Sequence, residues 1–220
     1  EADYLETIRR KTARLFESAA RLGAVLAEAG PATEQALGEF GLNLGIAFQM
    51  IDDALDYSAS AEEMGKNAGD DLAEGKTTLP LICALERSSS AERDLISEAI
   101  AQGKRERLHE VKQIIESTGA LAYTFARAKE HADTARRSLE ALPDSRYRMA
   151  LQGETKSTYQ YLERILDGRR FPMARITPAE LFRRPFARMS YHRYIFGILQ
   201  LLPPEQPSMT VLFSPSGVAI

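Results

Sequence analysis

Residues 40–57 read Phe40-Gly-Leu-Asn-Leu-Gly-Ile-Ala-Phe-Gln-Met-Ile-Asp-Asp-Ala-Leu-Asp-Tyr57, and their spacing decides the fold. At about 100° per residue, Phe40, Leu44, Ala47, Ile51 and Leu55 share one face of a helix, while Gln49, Asp52, Asp53 and Asp56 share the other. An amphipathic helix is predicted from Thr33 to Tyr57. The same period extends outward in both directions. Upstream, Leu5, Ile8, Thr12, Leu15, Ala19, Leu22 and Leu26 recur at steps of three and four. Downstream, Leu121, Phe125, Ala128, Ala132, Ala135, Leu139 and Leu142 do the same.

Glycine and proline punctuate these helices. Gly30 and Pro31 part the first from the second, and Pro143 stops the last. A third helix is expected after Gly75, with Pro80 in its first turn or kinking it. Ser89 and Glu92 have the spacing of a capping box, and Gly103 and Gly119 separate two further segments. No alternating strand pattern appears, so the expected fold is an all-α helical bundle.

The chain has 220 residues, 44% of them hydrophobic and 27% charged, which is enough apolar material for a sizeable core and excludes a disordered class. A formal charge of -3 gives no global cationic field, so no nucleic acid partner is expected. The apolar runs Leu79–Leu85 and Tyr194–Leu202 are too short or too interrupted to cross a bilayer, and no transmembrane segment is expected. One cysteine, Cys83, excludes an internal disulfide and suits a reducing, cytoplasmic location. It sits among leucines and reads as a small buried hydrophobe. His109, His131 and His192 lack metal-ligand spacing.

Composition changes along the chain. Residues 1–149 carry net charge -7 and three prolines, and residues 150–220 carry +4 and seven prolines. We therefore divide the chain into a helical domain, 1–151, and a divergent proline- and arginine-containing tail, 152–220, expected to be poorly ordered.

The chemistry is concentrated on the polar side of the second helix. Asp52 and Asp56 repel each other at four-residue spacing, and Asp53 adds a third charge, so the stripe calls for a cation. A hard divalent ion such as magnesium answers it, taking one or two carboxylates together with substrate phosphate oxygens. Gly38, Gly41 and Gly45 extend the stripe toward the helix start, where they are expected to leave room for a ligand in a groove. Gly65-Lys66, Gly69-Asp70-Asp71 and Gly75-Lys76 follow within one connection whose lysines suit phosphate oxygens, although the spacing is not that of a P-loop. Lys11-Thr12 interrupts the apolar face of the first helix and is expected to point into the same groove. A lone acidic triplet is usually a solvated face, but here Gln49, Lys66, Asp70 and Lys76 accompany it in order.

The ordered set Lys11-Thr12, Gln49 with Asp52, Asp53 and Asp56, Gly65-Lys66, Gly69-Asp70-Asp71 and Gly75-Lys76 resembles the trans-type isoprenyl diphosphate synthases. Its wording is most similar to the bacterial long-chain polyprenyl diphosphate synthases that make quinone side chains. The resemblance implies an isoprenoid-synthase helical bundle represented by its C-terminal helices only, Mg2+ as cofactor, and condensation of an allylic diphosphate with isopentenyl diphosphate. It assigns the metal to Asp52, Asp53 and Asp56, with Asp70 assisting. Lys11 and Lys66 would contact the allylic diphosphate, Lys76 would support it from the loop, and Gln49 and Thr12 would lie beside the developing allylic cation. A homodimer is implied for the full-length family member.

The family carries a further aspartate-rich motif, and basic residues for isopentenyl diphosphate, on helices that precede the point where this sequence starts. The chain alone is therefore expected to lack half the site. The alternative function is a non-catalytic diphosphate-binding or regulatory subunit of a heteromeric prenyl synthase. A terpene cyclase relative fits the Lys66–Lys76 loop poorly. Beyond Leu151 the resemblance fades, and the shift in proline and charge is read as an altered end of the kind a frame change leaves.

Overall fold

The computed structural model describes residues 1–58, 69–145 and 148–153, and among these every regular element is helical. The first helix starts as α1 (Ala2–Ile8), passes through one π-helical turn (Arg9–Ala13) and continues as α2 (Arg14–Leu26). Next comes α3 (Pro31–Leu55), which begins at Pro31 because the first helical position leaves an N–H unbonded anyway and proline has none to lose. A single turn, α4 (Asp70–Ala73), precedes α5 (Leu79–Arg87), where Pro80 occupies the first turn without a kink. α6 (Ser90–Gln102) opens on the expected capping box. The Glu92 N–H donates to Ser89 Oγ at 3.4 Å, and the Ser89 N–H donates to Glu92 Oε2 at 2.8 Å. Gly103, at φ 58°, ends α6, and a 3-10 turn (Arg105–Arg107) leads into α7 (Leu108–Ser117). Gly119, at φ 67°, turns the chain into α8 (Ala120–Ser138), which a 3-10 turn (Leu139–Ala141) closes before Pro143.

The acid-bearing helix α3 is the centre of the bundle, with α2 against one side and α8 against another. Its apolar residues Phe40, Leu44, Ala47, Ile51 and Leu55 are all buried, as the period requires. From α8, Phe125, Ala128, Ala132, Ala135 and the following Leu139 are buried too. A second apolar cluster, with Tyr57, Leu72, Leu81, Cys83, Ile96, Val111 and Ile115, holds α4 to α7 together and to the residues just past α3.

The first helix departs from its predicted stripe. From the end of the π turn onward the buried residues are Thr12, Ala13, Phe16, Glu17, Ala20 and Ala24, whereas Leu15 and Leu22 are each 49% exposed and Val25 55%. The π turn inserts one residue into the register, so the face that meets α3 shifts away from the leucines. Of the tail expected from residue 152, only 152 and 153 lie within the described residues, as the end of a helix running from 148.

Candidate functional site

Three elements position the polar groups around the end of α3. The π turn carries Thr12, whose hydroxyl donates to Gln49 Oε1 at 2.7 Å. Gln49 Nε2 in turn donates to Asp53 Oδ1 at 2.8 Å, one helical turn further along α3. Tyr4, on α1, donates its hydroxyl to the other oxygen, Asp53 Oδ2, at 2.7 Å. All four residues are buried. The result is a directed chain from Thr12 to Gln49 to Asp53, closed from the far side by Tyr4.

Burial lifts the Asp53 carboxyl to about 6, and the charges of Asp71 and Asp52 add to the rise against the opposing hydrogen bonds from Tyr4 and Gln49. The Tyr4 hydroxyl is pushed well above the ordinary tyrosine range by its own burial and by Asp53, so it stays a donor. Asp56 has a different setting. Its Oδ1 accepts the Gly69 N–H at 3.2 Å and its Oδ2 accepts the Asp71 N–H at 3.1 Å. Asp56 thus fixes the loop that starts α4, and burial raises its pKa as well.

Thr12, Gln49 and Asp53 are brought together as one hydrogen-bonded unit, and Asp56 joins them to the 69–71 loop. Asp52 is partly buried on the same helix. Lys76 stands on that loop, 3.0 Å from Asp71 and 2.6 Å from Glu74, and those two carboxylates hold its pKa above the usual lysine range. Lys11 is exposed, with its charge acting on Glu74 at the loop end. Asp70 turns to Arg105, at 3.0 Å. The charge of Asp71 acts on both Asp53 and Asp56, and the Asp70 backbone N–H is a further hydrogen-bond partner of Asp56. Lys66 lies outside the described residues, as do Gly65 and His192. His109 is exposed, and His131 Nδ1 meets Asn43 Oδ1 at 2.9 Å between α8 and α3, away from the acids.

The glycines of α3 do not line a ligand groove. A Cβ on Gly45 would stand 2.7 Å from the Cα of Ala13, and one on Gly41 would stand 2.4 Å from the backbone oxygen of Phe16. At Gly38 it would meet the Arg21 guanidinium at 2.6 Å. The expected open space is filled by α2, because small residues let two helix backbones approach closely. That seam draws Thr12 within reach of Gln49. Tyr4 carries no motif in the sequence, and Asp71, although part of the Gly69-Asp70-Asp71 motif, is assigned no role by it; their distance from the acids closes only in the folded chain.

Residues 1–118 match the family described as polyprenyl synthetase. The chain belongs to this family. It is 49% identical over 152 residues to octaprenyl diphosphate synthase from Haemophilus influenzae, covering 69% of this chain and 46% of that protein. Among solved structures it is similar to a decaprenyl diphosphate synthase from Rhodobacter capsulatus, with a TM-score of 0.67 at 38% identity over 74% of this chain and 50% of that one. It is equally similar to a polyprenyl synthase from Caulobacter crescentus CB15 complexed with calcium and isoprenyl diphosphate, with a TM-score of 0.67 at 43% identity over 70% of this chain and 48% of that one. The chain thus spans about half the length of the polyprenyl synthetases it matches, and its fold is the all-α isoprenoid synthase bundle.

Proposed function

We propose that this chain carries the allylic-diphosphate half of a trans-prenyltransferase, a polyprenyl diphosphate synthase that extends an allylic diphosphate with isopentenyl diphosphate for isoprenoid or quinone side chains. Residues 1–151 form this part. The observation that carries the reading is the hydrogen-bonded chain from Thr12 through Gln49 to Asp53, which orders a polar path along α3 beside an acidic stripe. Family membership and the Caulobacter complex with calcium and isoprenyl diphosphate support it.

The donor set fits a hard divalent cation, Mg2+ in our reading, because Asp52, Asp53 and Asp56 offer only oxygen. Among the described residues no three acidic, histidine or cysteine groups converge closely enough to hold an ion by themselves. Such an ion takes one or two carboxylates and completes its shell with water and diphosphate oxygens. When bound, the cation would neutralise the departing diphosphate.

The chain's own residues do the rest. Lys11, Lys66 and Lys76 offer ammonium charge to the leaving diphosphate. Asp70 and Asp71 set the acidic balance of the loop that bears Lys76. The oxygens of Thr12 and Gln49 would lie beside the developing allylic cation and offset its positive charge by dipole, while apolar helix faces would keep water away. The double bond of isopentenyl diphosphate then adds, and a proton is lost. The resemblance adds a homodimer and a cytoplasmic location to this reading.

The test is incorporation of labelled isopentenyl diphosphate, with an allylic diphosphate and Mg2+. It is run with the chain alone and with the part of the Haemophilus influenzae synthase that it does not match supplied as a second polypeptide. Product in either arm supports the enzyme. Binding of the allylic diphosphate with no product in both arms would favour a non-catalytic subunit.

A further inference from the structure

We propose that Tyr4 is a positioning residue for Asp53, and that the π-helical turn Arg9–Ala13 sets the register that lets Tyr4 and Thr12 act on the same stretch of α3. The inference rests on the proposed role of Asp53 as a carboxylate that faces metal and diphosphate.

Tyr4 and Thr12 are eight residues apart, and in an uninterrupted α-helix their side chains would diverge by about 80°. The extra residue in the π turn cuts that offset to about 20°. Both side chains consequently meet α3, where Thr12 reaches Gln49 and Tyr4 reaches Asp53, two residues a single turn apart. Asp53 therefore has one oxygen held by Gln49 Nε2 and the other by the Tyr4 hydroxyl. A carboxylate pinned at both oxygens cannot rotate about its terminal bond, yet each oxygen keeps a lone pair for a further partner.

Packing alone does not call for that hydroxyl. The Tyr4 ring lies in an apolar cluster with Ile8, Ile46 and Met50, where phenylalanine would fit. A buried hydroxyl aimed at a buried carboxylate, from 49 residues away in sequence, is an outer partner that orients an inner ligand, and such partners typically tune metal affinity by about 10–100-fold.

Tyr4→Phe keeps the ring and removes only the hydroxyl. Titration of the full chain with Mg2+ and inorganic pyrophosphate in a calorimeter should show about tenfold weaker affinity in Tyr4→Phe than in the wild type. In an Asp53→Asn background the same change should add less than about twofold, because its effect passes through Asp53. An unchanged affinity in the single variant, or an undiminished tenfold loss in the double variant, overturns the inference. A second readout needs no destabilised protein: 3-fluorotyrosine placed at position 4 alone should shift its fluorine resonance when Mg2+ and pyrophosphate are added, and a static resonance contradicts the inference. A wild-type chain that binds no magnesium pyrophosphate overturns the functional reading together with this one. A wild type that binds, with Tyr4→Phe equal to it, overturns this one alone.

Discussion

Gln49 Oε1 receives the Thr12 hydroxyl at 2.7 Å, and this fixes which end of the amide faces Asp53. With the oxygen committed to Thr12, the Nε2 donor must point along α3 to Asp53 Oδ1. Gln49→Glu removes that donor and sets a second carboxylate beside a buried one. We expect a loss of about 2–3 kcal/mol at pH 7.5 without metal, read from urea unfolding, and a much smaller loss at pH 4.5, where the new acid can be protonated.

The glycine seam makes a separate prediction. Gly41→Ala presses a methyl group against the backbone of α2 and Gly45→Ala against that of the π turn at Ala13, so each should cost about 2–3 kcal/mol. Gly38→Ala meets only the end of the Arg21 side chain, which can swing away, and should cost less than about 1 kcal/mol. Thermal melts of the three variants decide it. Three equal and small losses would mean that the helices are not in close approach there.

Asp56 should behave as a loop fastener. Asp56→Ala leaves the N–H groups of Gly69 and Asp71 without their carboxylate partner. Amide hydrogen exchange across residues 69–76 should then quicken by at least tenfold, while exchange in the middle of α8 stays as it was. Unchanged protection of the loop would contradict the role.

Asp53 gives the metal-free protein a defined pH response. Its carboxyl sits at about 6 in the folded chain against an ordinary 3.8, so between these values the folded state holds a proton that the unfolded state has released. Stability therefore falls as pH rises from 4 to 6, by about 3 kcal/mol for this group, and stays reduced above it. Subtracting the melting curve of Asp53→Asn from that of the wild type in a chelating buffer isolates the effect. A difference that is flat with pH would refute it.

The parts of this molecule that were legible in the sequence are those with local causes. The apolar face of α3, the Ser89–Glu92 capping box, the Pro80 first turn and the α8 stripe follow from period and cap chemistry within a few residues. The face of α2 was not legible, because the π turn that moves it is set among tertiary contacts, where the Ala13 Cα meets Gly45. The three glycines illustrate the same limit. Spacing alone reads equally as the wall of a groove or as a seam between helices, and only the backbone lying opposite decides. Within the site, the motif order brought Thr12, Gln49 and Asp53 into one reading, but Tyr4 and the charge of Asp71 on Asp53 enter through the fold. The split of roles among the acids, with Asp53 held by side chains and Asp56 by backbone, has no counterpart in their identical side-chain chemistry.

On the proposed function, the acidic stripe of α3 binds diphosphate through a divalent cation. Calorimetric titration of an allylic diphosphate into the wild type, Asp52→Ala and Asp133→Ala, each with and without Mg2+, tests it most directly. Asp133 is the control, since it pairs with Lys129 on α8 at 3.4 Å, apart from the stripe. Binding should require Mg2+, weaken at least tenfold in Asp52→Ala and stay untouched in Asp133→Ala. Equal affinities in all three proteins, or binding indifferent to the metal, would contradict it.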